Sequence, residues 1–155
     1  MPTPDGIVLR EATADDAGAI SALVIALMQR WIAPDCTEAG IARLLESMAP
    51  ARIEARLMEG HRHVVAELDG RIVGVAVLRL PSHLYHLFVA DDMQQRGLAR
   101  RLWNAVRTSA AADAPVTVNA ALRAVDAYLR LGFEVAGPVR SEHGIRSLPM
   151  RSAPR

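Results

Sequence analysis

The chain has 155 residues, of which 51% are hydrophobic and 23% charged, and this composition predicts one globular domain over residues 1–155 with its core at about residues 7–150. A net charge of +1, with only two Phe, two Trp and two Tyr, argues against nucleic acid as a partner, because that function needs a basic surface with aromatic side chains. All 18 basic residues are Arg, which excludes chemistry that depends on a P-loop or Schiff-base lysine.

The sequence carries neither a secretory signal nor a membrane span, so we expect a cytoplasmic protein that makes no membrane contact. Cys36 is the single cysteine, which excludes an internal disulfide and a cysteine-based zinc site. His61 and His63 share one face of a predicted strand, but no third ligand stands at metal-binding spacing, and we expect both to be solvated. The sequence therefore predicts no metal site.

The first third of the chain predicts one strand followed by three helices. Residues 7–11 alternate as a strand, and Thr13 with Asp16 forms a helix-start signal ahead of an apolar stripe that ends at Trp31. Thr37 can cap a second helix that runs through Met48. A third helix opens at Pro50 and ends at about Met58.

A hairpin and an inner strand follow. Residues 61–68 and 71–80 predict two strands joined by the turn Asp69-Gly70. The next strand, residues 84–89, is apolar on both faces, as expected when a strand is covered on both sides. We expect it to pair antiparallel with the second arm of the hairpin.

The turn after this strand predicts an anion site. Residues 94–99 lead into a helix with an apolar stripe, and the first turn of a helix presents unpaired N–H groups and partial positive charge. Gly97 and Ala99 allow a phosphate to approach the backbone, while Arg96 and Arg100 can add charge from the rim. Residues 71–76 show the same letter pattern, but inside a predicted strand with no helix to follow.

The remainder predicts a strand at residues 115–119, a helix at residues 122–131 ended by Gly132, and final strands at residues 134–136 and 145–150. Beyond Met150 we expect the chain to fray.

Two segments resemble motifs of the GNAT N-acetyltransferase family. Gln94, Gly97 and Ala99 fill the family's acyl-CoA signature, and the segment from Asn119 through Tyr128 to Gly132-Phe133 is similar to its later motif. The resemblance implies an α/β (α+β) fold, with a mixed, mostly antiparallel sheet of six to seven strands flanked by about four helices.

The resemblance also implies transfer of an acetyl group from acetyl-CoA to a primary amine of a small molecule, by direct attack in a ternary complex. The strand at residues 84–89 would pair with the pantetheine arm, and it would splay from the strand at residues 116–119 to form a slot. The residues implied in acetyl-CoA binding are Leu87, Phe88, Val89, Gln94, Gln95, Arg96, Gly97, Leu98, Ala99, Arg100, Asn119 and Tyr128.

Two catalytic roles follow from the resemblance. Family members often carry a Glu on the central strand as general base; here His86 stands at that place, with Glu67 or a bound water as alternatives. Tyr128 matches the usual donor of a proton to the departing thiolate.

The acceptor pocket should be shaped by residues 29–37 and 139–144. Arg52, Arg56 and Arg62 either contribute to that pocket or keep the surface hydrated. Acetylation of a peptide or protein amine remains open, as does a non-catalytic acyl-CoA-binding or regulatory domain. An edge strand near the C-terminus makes a homodimer conceivable.

Overall fold

The computed structural model describes residues 5–111 and 114–153, and within them it contains five α-helices and eight β-strands. The helices are α1 (Ala17–Trp31), α2 (Glu38–Ser47), α3 (Pro50–Met58), α4 (Leu98–Arg107) and α5 (Val125–Arg130). The strands are β1 (Val8–Glu11), β2 (Arg62–Leu68), β3 (Arg71–Arg79), β4 (His83–Val89), β5 (Thr117–Ala121), β6 (Phe133–Val135), β7 (Arg140–Glu142) and β8 (Ile145–Ser152). No helix among these residues is long and apolar enough to cross a membrane.

One sheet contains all of these strands, in the order β1-β2-β3-β4-β5-β8-β6, with β7 also paired to β8. Every neighbouring pair is antiparallel except β4 and β5, which run parallel. The predicted mixed, mostly antiparallel sheet is therefore confirmed. The sheet has eight strands rather than six to seven, and five helices rather than four flank it.

The additional strand β7 arises from a tight hairpin turn. His143 and Gly144 have φ values of 54° and 79°, which resemble those of Asp69 and Gly70 at the predicted β2–β3 turn, 51° and 78°. Two successive residues with positive φ suit a two-residue hairpin. The sequence predicts no strand between residues 136 and 145, because His-Gly is a weaker hairpin signal than Asp-Gly.

The sheet separates two apolar cores. On one side α4 and α5 pack with residues that include Leu102, Trp103, Tyr128 and Phe133. On the other side α1 and α3 contribute residues that include Ile20, Val24, Met28 and Ile53. Gly74 lets α4 sit close to β3, because a Cβ there would lie 2.9 Å from Leu102 Cδ1. The repeated letter pattern at residues 71–76 thus belongs to a strand, as expected.

Several element boundaries differ from the predicted ones. Thr13 N–H donates to Asp16 Oδ2 at 2.7 Å, but residues 14–16 form a 3-10 turn and α1 begins at Ala17. The helix predicted to begin at residue 122 also starts as a 3-10 turn, so α5 begins at Val125. The chain does not fray at Met150, because Ser152 N–H donates to the Val116 carbonyl and Val116 N–H donates to Ser152 Oγ.

The start of α2 lies directly against the β7–β8 turn. Thr37 N–H donates to the Gly144 carbonyl at 2.9 Å, and Thr37 Oγ1 caps the helix by accepting from Gly40 N–H. A Cβ on Gly40 would collide with the Gly144 carbonyl, and a Cβ on Gly144 would collide with Thr37 Oγ1. The β7–β8 turn and helix α2 can therefore meet this closely because both Gly40 and Gly144 lack a side chain.

Two helical glycines provide a matched test of this contact. We expect Gly40→Ala to lower the free energy of unfolding by about 2 kcal/mol or more, because backbone must move to admit the methyl group. Gly18→Ala, in the first turn of α1 with nothing within 4 Å of its Cβ position, should instead raise it by a few tenths to about 1 kcal/mol. Urea unfolding of both variants measures the difference. Equal effects would contradict the close contact.

Candidate active site

A bulge in β4 sets the geometry of the site. Val77 pairs with His86 and Leu78 pairs with Leu84, so Tyr85 lies between two paired residues without a partner on β3. A bulge of this kind re-aims neighbouring side chains. Tyr85 and Phe88 pack against the core on the α1–α3 side, and the rings of Tyr85 and His86 lie 4.5 Å apart.

Immediately after the bulge, β4 separates from β5. The two strands pair only at His83 with Thr117 and at Leu84 with Val118. Leu87, Phe88 and Val89 are partly exposed, although the β3 residues beside them are buried. On the β5 side, the outer half of β4 therefore has backbone groups that no strand covers. The predicted splay between these strands is present.

The turn beyond β4 presents backbone N–H groups at the open end of this slot. Gln95 and Gly97 adopt left-handed φ values of 63° and 75°, and Gly97 is the N-cap of α4. Nothing lies within 4 Å of a Cβ placed on Gly97, so its surface is open. Leu98 is buried beneath the turn and anchors it. This arrangement can bind an anion such as a diphosphate.

The polar side chains of the turn make local contacts. Gln94 Nε2 donates to the Val89 carbonyl at 3.2 Å and to Asp91 Oδ1 at 3.3 Å. Arg100 donates to the Arg130 carbonyl at the end of α5. The side chains of Gln94, Arg96 and Arg100 are exposed. Their predicted contacts with a phosphate remain predictions.

His86 is buried on the α1–α3 side of the sheet. It is 8% exposed, and its Nε2 atom has no hydrogen-bond partner among the described residues. Burial is the main cause that lowers the pKa of His86 to about 3, and the positive charge of Arg56 and the nearby His63 contribute to the same shift. The imidazole is therefore neutral around pH 7 and can accept a hydrogen bond.

Tyr128 lies on the opposite side of the sheet, in the core with α4. Its ring packs edge-on against Phe133, with 5.4 Å between centroids, and burial raises the pKa of its hydroxyl. A phenol in such a site stays protonated and can donate. Asn119, also predicted in the site, is exposed on β5, where it pairs with Pro149 of β8.

The structure revises the prediction for His63 and decides between the alternatives for Arg56 and Glu67. His63 is 3% exposed rather than solvated, because β2 is covered by β1 on one edge and by β3 on the other. Its Nδ1 lies 2.9 Å from the carbonyl oxygen of the partly buried His61. Of the two alternatives for Arg56, a hydrated surface residue is excluded, because Arg56 is buried. Glu67 accepts from Arg10 Nε at 2.7 Å and lies two strands from β4. This position argues against Glu67 as the base.

Residues 30–37 link the ends of both slot strands, a role that the sequence did not reveal. Trp31 Nε1 donates to Asp91 Oδ1 at 2.7 Å, and Arg30 pairs with the same carboxylate at 3.3 Å. Asp35 pairs with Arg123, in the turn after β5, at 3.3 Å. We expected Asp91 only to end its strand. No local pattern in the sequence predicts these long-range partners.

Comparison with known proteins identifies the family. Residues 32–153 match the acetyltransferase (GNAT) domain family, and since this is more than half of the chain, the protein belongs to that family. No protein in the curated set matches the sequence. Among the described residues, no group of three or more His, Cys, Asp or Glu side chains could hold a metal ion.

Solved structures share the fold. A GCN5-related N-acetyltransferase from Rhodopseudomonas palustris, also described as a class-II aminotransferase, is 26% identical, with a TM-score of 0.80 over 94% of each chain. The N-acetyltransferase PaiA from Thermoplasma acidophilum, solved with coenzyme A, is 12% identical, with a TM-score of 0.71 over 95% of this chain and 99% of that chain. YncA from Salmonella typhimurium, solved with acetyl-CoA, is 20% identical, with a TM-score of 0.62 over 94% and 92%.

The burial of His86 predicts a loss of stability in acid. Its pKa is about 3 in the folded protein and 6.5 in the unfolded chain, so the unfolded chain binds the extra proton between these values. Stability should therefore fall as the pH drops below about 6.5, with His86 contributing up to about 1.4 kcal/mol per pH unit.

His86→Leu should flatten this dependence, which urea unfolding between about pH 6.5 and pH 4.5 can measure. That range lies above the one in which Asp16, whose pKa is lowered to about 2 chiefly by its hydrogen bond with Arg10, loses its contribution. An unchanged slope in the variant would contradict the buried, neutral state of His86.

Proposed function

We propose that the protein is an N-acetyltransferase that moves the acetyl group of acetyl-CoA to a primary amine of a small molecule. The observation that carries this proposal is the slot between β4 and β5, which opens after Leu84 and ends at the left-handed turn around Gly97. An extended thioester with a diphosphate at one end matches both parts of this site. Membership of the GNAT family supports the same reaction.

The chain's own residues suit the binding of acetyl-CoA. The uncovered backbone of Leu87, Phe88 and Val89 would pair with the amides of the pantetheine arm, as an added strand does. The N–H groups from Gln95 to Arg100 would bind the diphosphate, with Gln94 and Asn119 at the edges. PaiA and YncA, which share this fold, were solved with coenzyme A and acetyl-CoA, respectively.

The reaction joins the acceptor nitrogen to the acetyl carbon and breaks the bond between that carbon and sulfur. The nitrogen loses a proton and the sulfur gains one. An alkylammonium with a pKa near 10.4 must first be deprotonated, at a cost of roughly 4–5 kcal/mol around pH 7. The acetyl-CoA thioester supplies the activated acyl group.

His86 and Tyr128 would divide the proton transfers. A neutral His86 can accept a hydrogen bond from the amine and orient its lone pair, while a base of pKa about 3 is too weak to keep the proton. We therefore assign His86 the role of a relay, through which the proton leaves the amine for bulk solvent, where the buffer takes it up. Tyr128, protonated in its apolar surroundings, would donate to the departing sulfur.

Thr37 N–H donates to the Gly144 carbonyl and so joins the two segments that are expected to shape the acceptor pocket, and a pocket closed at this point would favour a small acceptor over a peptide. The alternative is a non-catalytic domain that binds acyl-CoA at the turn around Gly97 but does not transfer the acyl group. Tyr128 is the one residue assigned to both acetyl-CoA binding and catalysis, and removal of its hydroxyl alone keeps its ring contact with Phe133, so binding and turnover can still be tested separately. We propose a location in the cytoplasm and leave the oligomeric state open.

Binding of acetyl-CoA is the first test. Gly97→Ala places a methyl group on the anion surface and should weaken acetyl-CoA binding at least about tenfold in calorimetric titration, because phosphate approach to the backbone is blocked. Gly60→Ala is the control, since Gly60 also has positive φ and open space around its Cβ position but lies beyond α3. Equal affinity in the two variants would contradict the site.

Loss of the two chemical groups should affect turnover without affecting binding. We expect Tyr128→Phe to lower kcat by about 100-fold while leaving the acetyl-CoA Kd unchanged, because the ring contact with Phe133 remains. His86→Leu should also lower kcat, yet the rise of kcat/KM from about pH 6 to about pH 9 should keep its shape, since it reports the acceptor ammonium. Unchanged kcat in either variant would remove that residue from the mechanism.

A further inference from the structure

A buried positive charge without a counter-ion lies beside the proposed active site. Arg56 of α3 is 9% exposed, and it is the one arginine among residues 5–111 and 114–153 that is buried. Its Nη2 donates to the Ser47 carbonyl, but within the described part of the chain Nη1 has no partner and no carboxylate forms an ion pair with the guanidinium. An unpaired buried charge is costly to stability.

Other charged groups in this protein show the usual solution. The buried carboxylate of Asp16 is paired with Arg10 at 2.8 Å. Arg62, which also has a buried nitrogen without a partner, pairs through another nitrogen with Glu11 at 2.6 Å. Against this background Arg56 is the exception. An anionic group on a ligand would supply the missing partner.

The position of Arg56 relates it to the acceptor rather than to acetyl-CoA. Its guanidinium stacks over the Tyr85 ring at 4.7 Å, and that ring lies 4.5 Å from His86. All three lie on the α1–α3 side, away from Tyr128 and the core beneath α4. His86 Nε2 is likewise buried without a partner among the described residues. Two unsatisfied polar atoms thus belong to side chains that both lie close to one aromatic ring.

We propose, on the basis of the proposed acetyltransferase function, that the acceptor is an amine that also carries a carboxylate, and that Arg56 binds this carboxylate while His86 receives the amine. An amino acid is the smallest acceptor that carries both groups, and one hydrogen bond of about 3 Å at each end would join it to Arg56 and His86. A carboxylate suits a single available Nη1, whereas a phosphate dianion would need more cationic partners.

Access requires a side chain to move, because both unsatisfied atoms are covered in the absence of an acceptor. Tyr85 and His61 are the partly exposed members of this cluster, with their rings 6.4 Å apart. A purely structural role for Arg56 would explain its contact with Ser47, at the last turn of α2, and its stacking on Tyr85. It would not explain the unpartnered Nη1.

The test compares each of a set of L-amino acids with its own carboxamide as acceptor, with acetyl-CoA as donor and release of free thiol as the readout. The parent protein should favour the acids by about 10- to 100-fold in kcat/KM, the range expected for a hydrogen bond to a charged group. The amine of a carboxamide is less basic than that of the acid, so a larger fraction of it is neutral at a given pH. This difference alone would favour the carboxamides, not the acids. An amino alcohol phosphate is included as a third acceptor class.

Arg56→Gln should bring the ratio of kcat/KM for an acid to kcat/KM for its carboxamide close to one. Arg52→Gln removes an exposed charge from the same helix and should leave this ratio unchanged. Thermal unfolding of both variants registers any loss of the Ser47 contact, but such a loss alone would not change the ratio. Comparison of the ratio, not of the absolute rate, therefore isolates the contact with the carboxylate.

The outcomes separate the two proposals. Acetyl-CoA binding without turnover of any amine would contradict the proposed function. Turnover in which carboxamides or phosphates equal or exceed the acids would leave the acetyltransferase in place and overturn the carboxylate site. A preference for acids that survives in Arg56→Gln would overturn the assignment of Arg56.

Discussion

The interaction on which the site depends is the short parallel pairing between β4 and β5. Two residue pairs hold these strands together, and beyond Leu84 each strand follows its own neighbours, β3 on one side and β8 on the other. The bulge at Tyr85 helps β4 to turn away, since a bulge bends a strand and increases its twist. The slot is thus a consequence of sheet topology, and one sheet provides both its rigid walls.

The sequence could predict most of this framework because its signals are local. The Asp69-Gly70 hairpin, the apolar inner strand and the glycine at the start of α4 each occupy a short window. The divergence of β4 from β5 was expected from the resemblance to GNAT proteins, not from any residue pattern. His-Gly at residues 143–144 is a local signal for a hairpin turn, and strand β7 is missing from the prediction because this signal is weak.

The sequence is least informative about burial. Polar residues are mostly exposed, so the sequence favours a solvated His63 and cannot decide whether Arg56 lies in the acceptor pocket or at the surface. Their burial depends on which face of α3 meets the sheet and on how the bulge re-aims Tyr85. Both features belong to the tertiary structure and cannot be inferred from a short sequence window. The same limit applies to Asp91 and Arg123, whose partners in residues 30–37 are far away in the chain.

The positive charge of Arg56 lowers the pKa of His86, and in the proposed mechanism this effect would link acceptor binding to proton transfer. Burial is the main reason why the pKa of His86 is low, but the Arg56 charge lowers it further. A carboxylate bound to Arg56 would neutralise that charge at close range and raise the His86 pKa. His86 would then become a better proton acceptor only when an acceptor of the right chemistry is in place. On this argument, a residue that binds one end of the acceptor also tunes the base at the other end, so that specificity and rate would depend on the same buried charge.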